Sequence, residues 1–252
     1  MKTAVLLLTH FIDQSVIEKY KKLENEIGQE YDLYWVFQTD YGTHNESLLD
    51  KDVNLFTFNL DELNKLGYSP IFDKLYGSEH FIMEYFFHEH SEYDVIFTGN
   101  WNVLFKAFKD SAADLLSSHI ERYREGENSS WDWWNFISFA DEDRIDKSQY
   151  IKSFNPIYRI SNRALTLLDS FLKKDKNGGF YELIISTLLY HKGFEIVDFG
   201  GTGEFVQPGF KNKFYVQGKG INFGTMRWRS EFSNDEILAL GTTNKLFHPL
   251  KK

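Results

Sequence analysis

The chain has 252 residues, with 28 Lys and Arg against 37 Asp and Glu, and so carries a net charge of −9. Hydrophobic residues make up 42% of it, enough to bury a core, which excludes intrinsic disorder. The acidity argues against a general nucleic-acid binder, which needs a net basic face. The absence of cysteine excludes disulfides, zinc–thiolate and iron–sulfur sites, and thiol nucleophiles.

The first apolar run, Ala4 to Leu8, bears on location. It is too short for a membrane span and too short for the apolar part of a secretory signal. We therefore expect a cytoplasmic protein without a transmembrane segment, with peripheral attachment to the inner membrane as the alternative.

The first half of the chain alternates predicted strands and helices. Strands are predicted at 3–8, 33–38 and 55–58, and a helix at 14–27, where apolar residues recur at helical spacing. Then follow a helix at 78–90, a buried strand at 93–99, a helix at about 103–108 and a short strand at 114–116. Such alternation is typical of a parallel sheet that binds ligands at the carboxyl ends of its strands.

The second half begins with a polar loop at 125–130. A strand at 156–160, helices at 163–172 and 181–191, and a strand at 195–199 are predicted after it. From Gly200 onward only residues 235–240 are predicted to be helical. We expect one α/β domain over residues 1–252, with a mostly parallel central sheet flanked by helices and an irregular C-terminal part.

Positive charge is concentrated at the C-terminal end. From Gly201 onward eight basic residues stand against four acidic ones, so this segment carries +4 and the first 200 residues carry −13. Its densest cations are Arg227, Arg229 and Lys251. Two arginines can bind a diphosphate bidentately, which predicts an anion site. The alternative is an ordinary solvated strand, since residues two apart share one face.

Glu182 is the candidate general base. It follows the Gly178-Gly179 break in the first turn of a predicted helix, beside Phe180 and Tyr181. A carboxylate among aromatic rings has its pKa raised, which suits proton abstraction. The positive end of the helix dipole instead lowers the pKa of a carboxylate in the first turn. The alternative is therefore an ordinary acidic residue that caps the N-terminus of the helix.

Three indoles, Trp131, Trp133 and Trp134, lie in a polar segment. Exposed indoles present flat apolar faces on which sugar rings stack, which favours a carbohydrate platform. The alternative is that these rings anchor the segment to the core.

Metal-binding patterns are weak. His88-Glu89-His90 is the densest His/Glu cluster, but its two His are not one helical turn apart as a zinc-protease motif requires. A solvated helix end explains this cluster better.

Several stretches resemble, in order and spacing, a bacterial family of glycosyltransferase-like proteins with the GT-A fold. They are YDVIFTGNW at 93–101, ADLLSSH at 113–119, NPIYRIS at 155–161, GFYE at 179–182, MRWR at 226–229 and KLFHPLK at 245–251. More distantly, the sequence is similar to the core-2 branching N-acetylglucosaminyltransferases. Those are inverting enzymes that use a glutamate base and replace the usual metal by C-terminal basic residues.

The resemblance implies a single GT-A-like, Rossmann-like domain, with a nucleotide-binding half at 1–120 and an acceptor-side half at 121–252. It implies a UDP- or GDP-linked sugar donor and a saccharide acceptor, with Glu182 as the base. The residues facing the diphosphate would be Arg227 or Arg229, together with Lys251. Further substrate-binding candidates lie at the ends of the first two strands or in the matching stretches: Thr9, His10, Asp40, Asn100, Trp101 and His248.

The sequence departs from the GT-A pattern at the metal motif. An Asp-x-Asp commonly follows a central strand of such enzymes, whereas here the strand ends in Thr98-Gly99-Asn100-Trp101. We therefore expect no required cofactor, with Mn or Mg held by Asp94 as the alternative. The missing motif also keeps a second function open, that of a non-catalytic protein that binds a nucleotide-sugar or carbohydrate on the same fold.

Overall fold

A computed structural model describes residues 3–9, 12–29, 31–39, 53–59, 95–174, 176–219, 223–228, 231–241 and 243–250. Within these ranges it contains five α-helices and several small sheets. The predicted α/β class is confirmed.

The N-terminal part is a parallel sheet covered by one helix. It comprises β1 (Thr3–Thr9), α1 (Gln14–Ile27), β2 (Tyr31–Gln38) and β3 (Leu55–Phe58), with β2 between β1 and β3. The Asp13 side chain caps α1 by accepting a hydrogen bond from the N–H of Val16. The apolar face of α1 packs on the sheet, where Tyr20 stacks on Trp35 with ring centroids 5.3 Å apart.

The remaining elements begin with β4 (Ile96–Phe97), α2 (Trp101–Ala107), β5 (Leu115–Arg122), β6 (Ile137–Ser138) and β7 (Ile151–Ile160). They continue with α3 (Asn162–Leu172), β8 (Gly178–Gly179), α4 (Tyr181–His191), β9 (Ile196–Asp198), α5 (Asn234–Leu240) and β10 (Leu246–Phe247). Short 3₁₀ turns lie at 132–135, 141–143 and 147–149. Most of the residues described after 199 are irregular, as the sequence predicts.

The second sheet is mixed rather than parallel. Strand β5 lies between β7, its antiparallel neighbour, and β9, its parallel neighbour. The pairs β4–β10 and β6–β8 are also antiparallel. Within the described residues, the expectation of a mostly parallel sheet is therefore correct for β1–β3 and wrong for the rest of the chain.

Two irregularities interrupt the β5–β7 pairing, and they flank the pair Ser118–Phe154. On one side of this pair His119 adopts a left-handed backbone, with φ 48°. On the other side β7 carries extra residues, Asn155 to Tyr158, opposite Ser117. Such bulges re-aim side chains and often adjoin functional sites.

The two strands are also longer than the predicted 114–116 and 156–160. Polar residues interrupt the middle of both strands and the bulges shift the alternation, so no apolar period of two marks the strands in the sequence.

Helix α2 joins the two parts of the fold. The Trp101 N–H donates to Oε2 of Glu26 at 2.8 Å, and Nζ of Lys22 lies 3.4 Å from the Phe97 carbonyl oxygen. Trp101 packs against the core clusters of both parts. The organisation as one domain with halves at 1–120 and 121–252 stays a prediction. None of the helices in the described ranges has the length and apolar character needed to cross a bilayer.

Candidate functional site

Glu182 lies in the first turn of α4, against the bulge of β7. Its side chain is 5% exposed, and Oε1 accepts two hydrogen bonds of 3.1 Å, from the Asn155 N–H and from the Tyr181 hydroxyl. Burial, and to a smaller extent the charge of Glu182, hold the pKa of Tyr181 well above its ordinary value. The Tyr181 hydroxyl therefore keeps its proton and donates it in this hydrogen bond. The carboxylate is thus held in one orientation.

The Gly178-Gly179 break sets where α4 begins. Gly179, the second residue of β8, has φ 150°, and a Cβ at this position would lie 2.6 Å from the Phe136 carbonyl oxygen. Only glycine therefore fits where β8 approaches β6. This close pairing places the first turn of α4 beside β7.

Asn155 places a side-chain amide in the interior beside Glu182. Its side chain is fully buried, and Oδ1 lies 2.5 Å from the Ser117 hydroxyl oxygen. Nδ2 has no hydrogen-bond partner among the described residues. Buried side-chain amides in folded proteins normally have hydrogen-bond partners. The exception at Asn155 makes the bulge beside Glu182 a candidate site.

Two buried histidines line the same region. His119 is 2% exposed and His248 is 5% exposed, and their rings pack edge-on against Phe154 at centroid distances of 5.9 and 5.2 Å. Burial lowers the pKa of His119, and it lowers that of His248 to about 4, so both rings are neutral at pH 7. His248 donates from Nδ1 to the Arg227 carbonyl oxygen at 2.7 Å, and its predicted role in substrate binding stays a prediction.

Arg227 is a half-buried cation. Its guanidinium carbon lies 3.5 Å from the centroid of the Phe232 ring, and burial lowers its pKa although Glu236 acts in the opposite direction. Within the described part of the chain its side chain has no hydrogen bond or ion pair, and Nε is buried without a partner. The alternative of an ordinary solvated strand is therefore wrong for Arg227.

Not all of the C-terminal positive charge is open to a ligand. Nζ of Lys245 donates to the carbonyl oxygens of Asn212 and Lys213, at 2.7 and 2.6 Å. Lys213 lies over the Phe210 ring at 4.2 Å. These two lysines hold the irregular segment together.

The structure corrects the prediction of an indole platform at Trp134. Trp134 has no exposed surface, and its indole N–H donates to the Asn128 carbonyl oxygen at 2.8 Å. It is a core residue, which is the alternative stated for this segment. Trp131 and Trp133 are half-buried, and Trp133 stacks on Phe180 with centroids 4.7 Å apart and an interplanar angle of 18°. Their role as a carbohydrate platform stays a prediction.

Other predicted binding residues lie elsewhere. Thr9 is buried at the end of β1. The Asn100 side chain caps α2 by accepting from the Asn102 N–H, and Trp101 packs in the core. These contacts give Asn100 and Trp101 structural roles, and substrate binding by all three residues stays a prediction.

The predicted residues His10, Asp40, Asp94, Arg229 and Lys251 lie outside the described residues, as does the helix predicted at 78–90 with its His88-Glu89-His90 cluster. In the ranges the structure describes, no group of three or more His, Asp or Glu could hold a metal ion.

Sequence reasoning missed His119, Phe154 and Asn155. His119 and Asn155 lie in stretches that carry the family resemblance, and Phe154 directly precedes one of them, but the sequence assigned no role to any of the three. The available signal was the run of polar residues Ser117-Ser118-His119 directly after two leucines, opposite an Asn before a proline. Polar residues in the middle of a buried strand indicate a site or a buried network.

Comparison with known proteins adds no relative: no family model matches the chain, and neither a curated protein nor a solved structure matches it.

Proposed function

We propose that the protein is an inverting, metal-independent glycosyltransferase that moves a sugar from a nucleotide-diphosphate donor to an acceptor hydroxyl. The observation that carries the proposal is one buried carboxylate, Glu182, connected through Asn155, Phe154 and His248 to a cation, Arg227, that has no ion pair among the described residues. A base and a diphosphate ligand are the two groups that such a transfer needs. The GT-A-like fold and a cytoplasmic location are parts of the same proposal.

The chemistry assigns one task to each group. Glu182, whose Oε1 is oriented by two hydrogen bonds, takes the proton of the acceptor hydroxyl. The acceptor oxygen bonds to the anomeric carbon from the face opposite the leaving group. The bond from that carbon to the diphosphate oxygen breaks, and its electron pair leaves with the nucleoside diphosphate. Arg227 stabilises the negative charge that develops there.

The test is the variant Glu182→Gln, assayed for sugar transfer and for donor binding. An amide keeps the shape of the carboxylate but takes up no proton, so we expect transfer to fall by about 10²-fold or more with donor affinity nearly unchanged. Glu195→Gln, at an exposed carboxylate, is the matched control. Donor binding lost together with activity would show that Glu182 has a structural role instead.

The second candidate is a non-catalytic protein that binds a nucleotide-sugar or carbohydrate. It is favoured by the missing Asp-x-Asp and by the burial of Glu182, which is also what a purely structural carboxylate shows. Calorimetry with a panel of UDP- and GDP-sugars, followed by donor hydrolysis and transfer assays, separates the two. Binding without any turnover would identify the second candidate.

A further inference from the structure

The peptide that carries Arg227 is held by two histidine rings from distant parts of the chain. Nε2 of His119 lies 2.7 Å from the Met226 carbonyl oxygen, and Nδ1 of His248 lies 2.7 Å from the Arg227 carbonyl oxygen. A carbonyl oxygen only accepts, so each of these ring nitrogens carries the proton. The main chain adds a bond of 3.1 Å from the Arg227 N–H to the His248 carbonyl oxygen.

One phenylalanine links this clamp to the carboxylate. The rings of His119 and His248 both meet Phe154 edge-on, with interplanar angles of 71° and 72°. The next residue along β7 is Asn155, whose N–H donates to Glu182. The two histidine rings and the candidate base therefore contact consecutive residues of β7.

A separate network fixes the orientation of His119. Its left-handed φ of 48° is rare for a residue with a side chain and persists only where the surroundings hold it. The His119 N–H donates to the Tyr215 hydroxyl oxygen at 2.8 Å, and the Tyr215 hydroxyl donates to Asp198 at 2.9 Å. Asp198 also accepts from the N–H groups of Ile120, Gly200 and Gly201. The ring is thus placed before any ligand arrives.

Arg227 itself requires such placement. Its guanidinium stacks on Phe232, and within the described residues no carboxylate forms an ion pair with it. A partly desolvated cation without a counter-ion binds an anion strongly only when its position is fixed beforehand, because ordering a long side chain costs conformational entropy.

We propose that His119 and His248 are positioning residues that, by holding the Met226 and Arg227 carbonyl groups, set the place of the Arg227 guanidinium for the diphosphate of the donor. This inference rests on the proposed function for the identity of the anion. The clamp itself is argued from contacts alone.

Matched pairs of variants test the clamp. In His119→Gln the amide Nε2 keeps a donor near the position of the ring Nε2, and in His248→Asn the amide keeps one near the ring Nδ1. His119→Met and His248→Leu have similar shapes without a donor. Calorimetry of the full chain with UDP, GDP and inorganic pyrophosphate is expected to show affinities about tenfold weaker for Met and Leu, equal to about 1.4 kcal/mol. The Gln and Asn variants are expected to stay within about threefold of wild type.

Two further variants serve as the positive and negative controls for pyrophosphate affinity. Arg227→Met is expected to lose most pyrophosphate affinity, and His191→Met, at a histidine outside the clamp, to keep it. If the donor-free variants have a lower melting temperature but wild-type affinity, the histidines are merely structural and the proposal is overturned. Unchanged pyrophosphate binding by Arg227→Met overturns it as well.

The wild type provides a measurement that does not depend on the folding of the donor-free variants. With ¹⁵N-labelled histidine, pyrophosphate is expected to shift the ring signals of His119 and His248, assigned by their loss in the Gln and Asn variants, and to leave His191 unshifted. Unshifted clamp signals at saturation overturn the proposal.

The choice of ligands separates the clamp from the proposed function. Binding of pyrophosphate but of neither UDP nor GDP refutes the proposed function, and the pyrophosphate affinities of the variants then still decide whether the clamp exists. A wild type that binds none of the three refutes both.

Discussion

The main-chain N–H of Asn155 donates a hydrogen bond to Oε1 of Glu182 at 3.1 Å. This N–H lies in the bulge of β7, where the pairing with β5 is interrupted. A β-bulge thus supplies one of the two donors that orient the candidate base.

The Asn155→Asp variant tests this arrangement. Asp has the shape of Asn, but it adds a carboxylate to the residue whose N–H binds Glu182, and two close carboxylates cannot both ionise readily. We expect the acid limb of the pH–rate profile to move to higher pH by about one unit. The measurement is kcat/KM against pH, with Asn135→Asp at an exposed position as control. An unmoved acid limb would argue that the profile does not report Glu182.

His248 makes the stability depend on pH. Burial lowers its pKa from 6.5 to about 4 in the folded protein. The unfolded chain therefore binds a proton between these values while the folded protein does not. The free energy of unfolding is expected to fall as the pH drops from 6.5 towards 4, by up to about 3 kcal/mol.

Urea unfolding between pH 7.5 and 4.5 checks this for the wild type and for His248→Asn. The variant lacks the titrating ring and is expected to lose less stability over this range. His191→Gln is the control histidine. An identical pH dependence for wild type and His248→Asn would contradict the assignment.

Substitutions of Trp134 and Trp133 distinguish a core role from a surface role for these indoles. Trp134→Leu removes part of a fully buried ring and the donor to the Asn128 carbonyl, so we expect a loss of about 3–5 kcal/mol in the free energy of unfolding. Trp133→Leu, at a half-buried ring, is expected to cost about 1 kcal/mol and to raise KM for the saccharide acceptor. Denaturant unfolding and steady-state kinetics measure the two effects. Equal losses of stability with an unchanged KM would refute the platform role of Trp133.

The proposed metal independence predicts that transfer persists in EDTA. Fixed cations take the place of a divalent ion at the departing diphosphate, so we expect chelation to change the rate less than about twofold. Full loss of activity that Mn restores would refute this expectation, and the test of Asp94→Asn would then follow.

Much of the secondary structure is readable from the sequence. The helices at 14–27 and 181–191 and the strand at 55–58 agree with their predicted bounds, since each has a clear period or sharp flanking turn residues. Glu182 is likewise identified correctly as a first-turn acid of α4. The full lengths of strands β5 and β7 cannot be predicted from the sequence, because buried polar residues such as Ser117 and Asn155 meet across a bulge that only the pairing creates.

Composition, charge and local pattern determine by themselves that this chain is an acidic α/β protein with a positively charged C-terminal segment. They also single out Glu182 and Arg227, since a break before a helix and a cluster of arginines are local features. Only the tertiary structure decides that Trp134 belongs to the core, that His248 holds a main-chain carbonyl, and that His119 and Asn155 belong to the same site. The physical reason is that burial and hydrogen-bond pairing arise between residues far apart along the chain, and no local pattern records which of them meet.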